Sequence, residues 1–323
     1  MAFPKKTSTP LGVQPRIAGS MLSASYLAFV STGVIIVAGL ALLAVSQYRA
    51  TLAEWEQRLS SIADERTRLV SSWLQERRGD AEANSFAPEV TQYLLRMTAK
   101  NIHEEPMLDH LALLSQTKEF YGYTGIYVLD RDGHVVSQAP GSPLPLPLLG
   151  GVGRTAIQGR QFHVEWLPSG PDGGSLCLIS PVWGTRKKTV GAEVVTRPLG
   201  AVALVVNPHE TLFRLLATES IPTETGETLL VARAGRGILF MSPLRRGSLR
   251  VHAAPRQSTL AATAALEGRQ TFGSFTDYRG VPVLAAVRSI PATGWGVVSK
   301  SIGRKRLANT IDVCGRKPGV QRY

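Results

Sequence analysis

The residues able to do chemistry are scattered along this 323-residue chain. The six histidines (His103, His110, His134, His163, His209, His252) never fall four apart, so the sequence holds no local histidine metal motif. Cys177 and Cys314 make neither a metal spacing nor a disulfide framework, and a pairing between them is left open. Cys177 sits inside Leu176-Cys177-Leu178-Ile179 and reads as a small buried hydrophobe, not a nucleophile. No serine lies in a G-x-S-x-G elbow. Gly151-x-Gly153-x-x-Ala156 mimics a dinucleotide fingerprint but follows a Pro-rich loop, not a strand. Arg78-Gly79-Asp80 reads as solvated helix, and His103-Glu104-Glu105-Pro106 as a surface helix with no nucleotide-binding glycine box to serve. No cofactor or metal is expected, and an enzyme would need a site assembled from distant residues.

One constellation suits recognition of a small molecule. Tyr121, Tyr123 and Tyr127 lie near a first strand, Arg154 on a short helix, His163 and Trp166 on a central strand, and Trp183 after Pro181. Hydroxyls beside a cation can orient a polar ligand in an otherwise apolar pocket, although aromatic residues on a sheet face also serve as plain core. Strand alternation places Tyr123 and Tyr127 on one face, and His163 with Glu165 opposite Trp166.

The elements that must hold these residues begin with an anchor. Leu27 to Val45 is 19 residues without a charge, about 28 Å as helix against a bilayer core of roughly 30 Å. A cleaved secretory signal ending near Ala44-Val45-Ser46 is the alternative, but the run is longer than a signal core and starts late. Lys5, Lys6 and Arg16 precede it, which predicts a cytoplasmic amino terminus and an extracytoplasmic remainder. The net charge of +12 is concentrated at the ends: residues 1–50 hold four bases and no acid, residues 302–323 six bases and only Asp312. The body is nearly neutral and shows no basic, aromatic-lined groove, which excludes nucleic acid as the partner.

Beyond the anchor, Leu52, Trp55, Leu59, Ile62, Arg66, Leu69 and Trp73 step by three and four, the seam of a helix that pairs with a second copy or packs on its own domains. Pro88 closes that pattern. Then segments recur in order. The hairpin Tyr127–Ser137 returns as Leu230–Ser242, with Arg131-x-Gly133 matching Arg233-x-Gly235 at an offset of 102. Ala156-Ile157-Gln158-Gly159-Arg160-Gln161 returns as Ala265-Leu266-Glu267-Gly268-Arg269-Gln270 at 109, each a short helix stopped by its glycine. The strands from Gly200 and Gly296 correspond at 96. The loops Pro140–Pro147 and Pro243–Pro255 also take equivalent places. Such offsets predict two copies of an α+β unit of about 100 residues, each with one antiparallel sheet.

The anchor, the stalk with its Ser71-to-Glu82 segment SSWLQERRGDAE, and above all Thr225–Val231, Ser242–Arg245, Asp277–Ala286 and Thr293–Gly296 resemble the double Cache sensor domains of bacterial transmembrane receptors. The likeness spans about residues 26–302 and is strongest in the second unit. It implies an α+β fold of two tandem PAS-like units and this division: 1–25 cytoplasmic, 26–46 transmembrane, 47–87 stalk, 88–213 membrane-distal unit, 214–302 membrane-proximal unit, 303–323 basic tail. It also implies inner-membrane anchoring, a small-molecule ligand in the distal unit, a homodimer through the stalk, and a second span leading to a cytoplasmic output. After Lys300 the chain is basic and polar with no run near ~18 apolar residues, so the expected reading is a sensing region lacking its output. A membrane-tethered hydrolase and a structural fragment pairing with full-length relatives are the alternatives.

The resemblance bears on ligand class too. Amino-acid-binding members carry an Arg-Trp-Tyr cluster for the carboxylate and a final-strand aspartate for the ammonium group. Here Gly200–Val206 has no acid and Gln161–Trp166 lacks the cluster. An ammonium buried unpaired costs several kcal/mol. The expected ligand is therefore neutral or anionic, held by tyrosine hydroxyls with Arg154 or His163 as cation, unless Glu165 turns inward to supply the missing charge.

Overall fold

The computed structural model describes residues 18–99, 107–143, 148–169, 173–186, 195–217, 226–246, 251–253, 259–291 and 293–302. The expected basic tail, the His103–Pro106 segment, the cytoplasmic flank to residue 17, and parts of both irregular loops lie outside them. The chain divides into two compact units between Trp55 and Glu56. In the first, helix α1 (Ala18–Phe86) carries the apolar run, exposed from Tyr26 to Val45 and long and apolar enough to cross a membrane.

In the second unit, α1 continues and presents a face buried from Leu59 through Val70 and Trp73 to Ala81 and Ser85. Each fully buried Leu or Val there is worth about 2 kcal/mol. The helix stops at Phe86, and Pro88 opens α2 (Pro88–Ala99) at the position where a missing N–H costs nothing. After α3 (Met107–Tyr121), the first sheet comprises β1 (Gly125–Asp130), β2 (Val135–Gln138), β3 (His163–Ser169), β4 (Gly173–Arg186) and β5 (Val195–Val206), with α4 (Leu149–Gly159) between β2 and β3. Its order is β2-β1-β5-β4-β3, antiparallel throughout. Helix α5 (Leu212–Ala217) leads to the second sheet: β6 (Glu227–Ala234), β7 (Gly237–Phe240), β8 (Val251–Ala253), β9 (Thr271–Thr276), β10 (Pro282–Ile290) and β11 (Trp295–Ser301), with α6 (Ala261–Leu266) before β9. The order β8-β7-β6-β11-β10-β9 repeats the first sheet's path with one strand added at the edge.

Both sheets are apolar on two faces. Helices α4 and α6 cover one face each, with Leu129, Ile179 and Ala203 under α4 and Leu229, Val231 and Val298 under α6. Gly153 lets α4 sit close, since a Cβ there would lie 2.7 Å from Leu129 Cδ2. The second glycine of the Gly-x-Gly is thus a packing feature inside a helix. The opposite faces share one core with α1, α2 and α5, including Trp73, Leu94, Phe213 and Trp295.

Two expectations change. Leu59, Ile62, Arg66 and Trp73 are buried against the chain's own sheets, so this part of the seam is not open to a second copy. Arg66 does not interrupt a dimer seam. Its Nη1 donates to the Leu215 carbonyl at 2.6 Å, in the last turn of α5, where carbonyls lack intrahelical donors. The two helix stops also differ by one residue: in the second copy Gly268 is left-handed (φ +82°), whereas in the first Gly159 is still helical and Arg160 takes the left-handed turn (φ 54°).

Arg66→Leu should therefore lower stability by about 2 kcal/mol, a fall of about 5 °C in melting temperature for a chain this size. An unchanged or raised melting temperature would restore the seam reading. Arg160→Gly should gain about 1 kcal/mol by relieving the left-handed penalty, and an unaltered urea midpoint would count against that cap.

Candidate functional site

The seven side chains singled out in the sequence do not meet on one surface. On the α1 side, Tyr123 is buried and its hydroxyl donates to Asp80 Oδ2 at 2.6 Å, with Arg77 5.6 Å from the ring and 3.3 Å from the same carboxylate. Burial, then the bond to Asp80, push the Tyr123 phenol up. Tyr121 ends α3 beside Phe120 and Arg77. Trp166 is half-buried on β3, which is an edge strand and not the central one expected for Trp166 and His163, its ring 6.4 Å from that of Phe213. On the α4 side, the Tyr127 hydroxyl donates to the Pro143 carbonyl at 2.8 Å. Arg154 Nη1 donates to the Asp132 carbonyl at 2.9 Å, and His163 Nε2 lies 3.2 Å from Glu165 Oε2. Trp183 is half-buried at a register irregularity of β4, opposite Pro198.

Tyr123 and Tyr127 were expected on one strand face, and they lie on opposite sides of the sheet. The strand begins only at Gly125, and the left-handed Gly122 (φ +68°) separates α3 from it, so alternation does not extend back to Tyr123. Cys177 is the buried hydrophobe its run suggested. Burial, then the nearby Glu165 charge, push its thiol up to about 12. Asp130, Asp132 and His134 come within 4.8 Å of one another, but Asp130 Oδ1 is already accepting the backbone N–H groups of Asp132 and His134 in an exposed turn.

A dense buried polar cluster lies in the second sheet, among residues that entered the sequence reading only through the family resemblance and not as candidate site residues. Asp277 opens the turn from β9 to β10, and its Oδ1 accepts the N–H groups of Arg279 (2.8 Å) and Val281 (3.1 Å). Its Oδ2 accepts from Arg279 Nε (2.8 Å) and from Lys300 Nζ (2.9 Å), which comes in from β11. Lys300, 2% exposed, also lies 2.9 Å from Glu227 Oε2 and 4.3 Å from the Tyr278 ring centroid. Glu227 Oε1 accepts the Arg245 backbone N–H at 2.7 Å. A lysine this deep persists because two carboxylates and a π face replace its water. The cue to Lys300 in the sequence was a charged residue near the end of the apolar strand Trp295–Ser301, and Glu227 and Asp277 lie in segments that carry the resemblance.

Beside this cluster, where β6 begins and β11 ends, lies a cavity of about 270 Å³. Its apolar wall includes Leu59 and Ile62 of α1 and Phe213 and Leu216 of α5, and its polar wall Glu227, Thr228, Ser242, Arg245, Ser299 and Lys300.

No protein-family model matches the sequence, and no curated protein matches it. Solved structures do. The sensor domain of the Vibrio cholerae histidine kinase DctB aligns with a TM-score of 0.53 at 13% identity, over 80% of this chain and all of that one. The ligand-binding domain of the Pseudomonas aeruginosa amino acid chemoreceptor PctC, solved with GABA, aligns at 0.50 and 17%, over 75% of this chain and 97% of that one. That of the Campylobacter jejuni chemoreceptor Tlp3, solved with L-valine, aligns at 0.52 and 13%, over 82% and 97%. The chain thus has the double Cache fold of chemoreceptor and histidine kinase sensor domains.

Burial pushes the Asp277 carboxyl up, but the bonds donated by Lys300 and Arg279 outweigh it and leave the group below its ordinary range. A depressed native pKa means stability that is present above about pH 4 and lost as pH falls through the native value. Asp277→Asn should cost about 3 kcal/mol at pH 7 by stranding Lys300. The gap in melting temperature between the two proteins should close below about pH 4. A gap constant from neutral pH to strong acid would show that the carboxylate is not what the turn and Lys300 depend on.

Proposed function

We propose that the chain is the membrane-anchored, extracytoplasmic small-molecule-sensing region of a signal-transduction receptor, a binding module and not an enzyme. What supports this reading is one combination: a double Cache fold in the same chain as a single charge-free apolar run with a basic amino-terminal flank. The fold is one that PctC and Tlp3 use around GABA and L-valine. In this chain the preferred ligand is neutral or anionic. The central strand β5 carries no acid between Gly200 and Val206, and Glu165 is exposed and engaged with His163. The first contacts in the first sheet are assigned to the α4 side, to Tyr127, Arg154 and His163.

Two measurements test the reading. A reporter enzyme active only outside the cytoplasm, fused after Tyr323, should be active, and the chain should stay in the membrane through carbonate washing. Activity only from a cytoplasm-dependent reporter would reverse the orientation, and release by carbonate would replace the anchor by a cleaved signal. A thermal-shift screen of the full chain in nanodiscs should find stabilising small molecules, organic acids and neutral compounds above free α-amino acids. A screen in which none shifts the transition would remove the sensing role.

A further inference from the structure

The cavity between α1, α5 and the second sheet has a polar wall whose carboxylates are engaged and whose hydroxyls keep protons to donate. Both carboxylates of the cluster are engaged: Glu227 by Lys300 and the Arg245 N–H, Asp277 by Lys300, Arg279 and two backbone N–H groups. A cationic guest would have to displace Lys300. The hydroxyls stand differently. Ser242, buried, accepts the Leu230 N–H at 2.9 Å, which leaves its own proton to donate. Thr228 and Ser299 share a single 3.3 Å contact in which one hydroxyl donates, so the proton of the other is available too. Ser299 is itself buried, 1% exposed. A buried donor without an acceptor is costly, and two unused hydroxyl protons facing one cavity, at least one of them buried, call for a guest that brings acceptors. Among the described charged residues in the wall, Lys300 and Arg245 outnumber Glu227. The opposite wall is aliphatic and aromatic.

We propose that this cavity is a second ligand site and that it takes a short-chain aliphatic carboxylate. The carboxylate lies against the hydroxyls of Thr228, Ser242 and Ser299, and the alkyl tail against Leu59, Ile62, Phe213 and Leu216. The volume, just under the ~300 Å³ at which ligand pockets usually begin, limits the chain to about four to six carbons. The site is separate from the first-sheet contacts assigned above. It rests on the sensing role only in taking a small molecule to be this chain's partner. A guest here touches α1, α5 and the second sheet together, so its binding energy bears directly on how α1 is held.

The test uses the full chain in nanodiscs with pentanoate as probe, and with pentanol and pentylammonium as equal-length controls. Calorimetry should show saturable binding of pentanoate, weaker binding of pentanol and none of pentylammonium. Thr228→Val with Ser299→Ala should weaken pentanoate at least 10-fold. Ala217→Phe, at an exposed α5 residue on the cavity rim, should block it while leaving the melting temperature within a few degrees of wild type. Pentanoate binding untouched by either change overturns the site, and pentylammonium binding as tightly as pentanoate overturns the ligand class. No pentanoate binding also overturns the proposal, while stabilising compounds from the wider screen would keep the sensing role intact. A screen with no hit at all is the separate failure of that role.

Discussion

Everything in the second compact unit depends on the buried face of α1. Each sheet is apolar on both sides and a sheet cannot leave such a face in water. One side of each is closed locally by a short helix made of small residues, the glycines of α4 and the alanines of α6. The other side has no local cover. The stripe from Leu59 to Ser85 supplies it for both sheets at once, and α2 and α5 fill in around it. A helix shared by two sheets makes their cores one, which is why Phe213, Trp295 and Trp73 belong to a single cluster though they are far apart in sequence.

The two copies kept the strand path and diverged in what closes their ends. In the second, the β9–β10 turn is held by Asp277, whose other oxygen draws Lys300 into the core and through it Glu227 at the start of β6. That network links the start of β6, the β9–β10 turn and the end of β11. In the first, the polar tie runs outward to α1, from Tyr123 to Asp80 and from Ser85 to Ser180. One copy is therefore braced within its own sheet and the other against the long helix.

Much of this was legible beforehand, for physical reasons that also mark where legibility ended. Hairpins announced themselves because Gly133 and Gly235 sit at left-handed turns between apolar runs, and the duplication because turn and helix-stop residues recur at matched offsets. The α1 seam was visible as a period, but a period does not say what lies against it. Arg66 looked like a break in a dimer seam because its partner, the Leu215 carbonyl, is 149 residues away. The site was less legible than the fold. A single left-handed glycine at 122 moved Tyr123 off the strand, and the Lys300 cluster is built from residues 23 and 73 apart whose meeting depends on strand order. Local pattern carries no record of such pairings. The αL residue shifted from Gly159 to Arg160 within a six-residue motif shared by both copies, because the last turn of a helix is decided by its backbone bonds as well as its composition.

The ties that fix α1 are unequal. Toward the first sheet and the segment leading into it they are Ser85 to Ser180, a buried pair, and Tyr123 to Asp80 at 2.6 Å, while Arg66 is held by the Leu215 carbonyl of α5, the helix between the sheets. Toward the second sheet the ion pair is Arg288 with Asp64, bidentate at 2.6 and 3.1 Å but with Asp64 half-exposed. A half-exposed pair of that kind is worth about 1 kcal/mol or less, whereas breaking a buried charged bond costs about 3 kcal/mol or more. By these bonds α1 is held more firmly to α5 and to the first sheet than to the second sheet. The Asp277–Lys300–Glu227 network braces the second sheet at the end where Leu59 and Ile62 line the cavity. A cavity of about 270 Å³ thus lies against the same stretch of α1 that carries Asp64, where the binding energy of a small guest bears on how the helix is held.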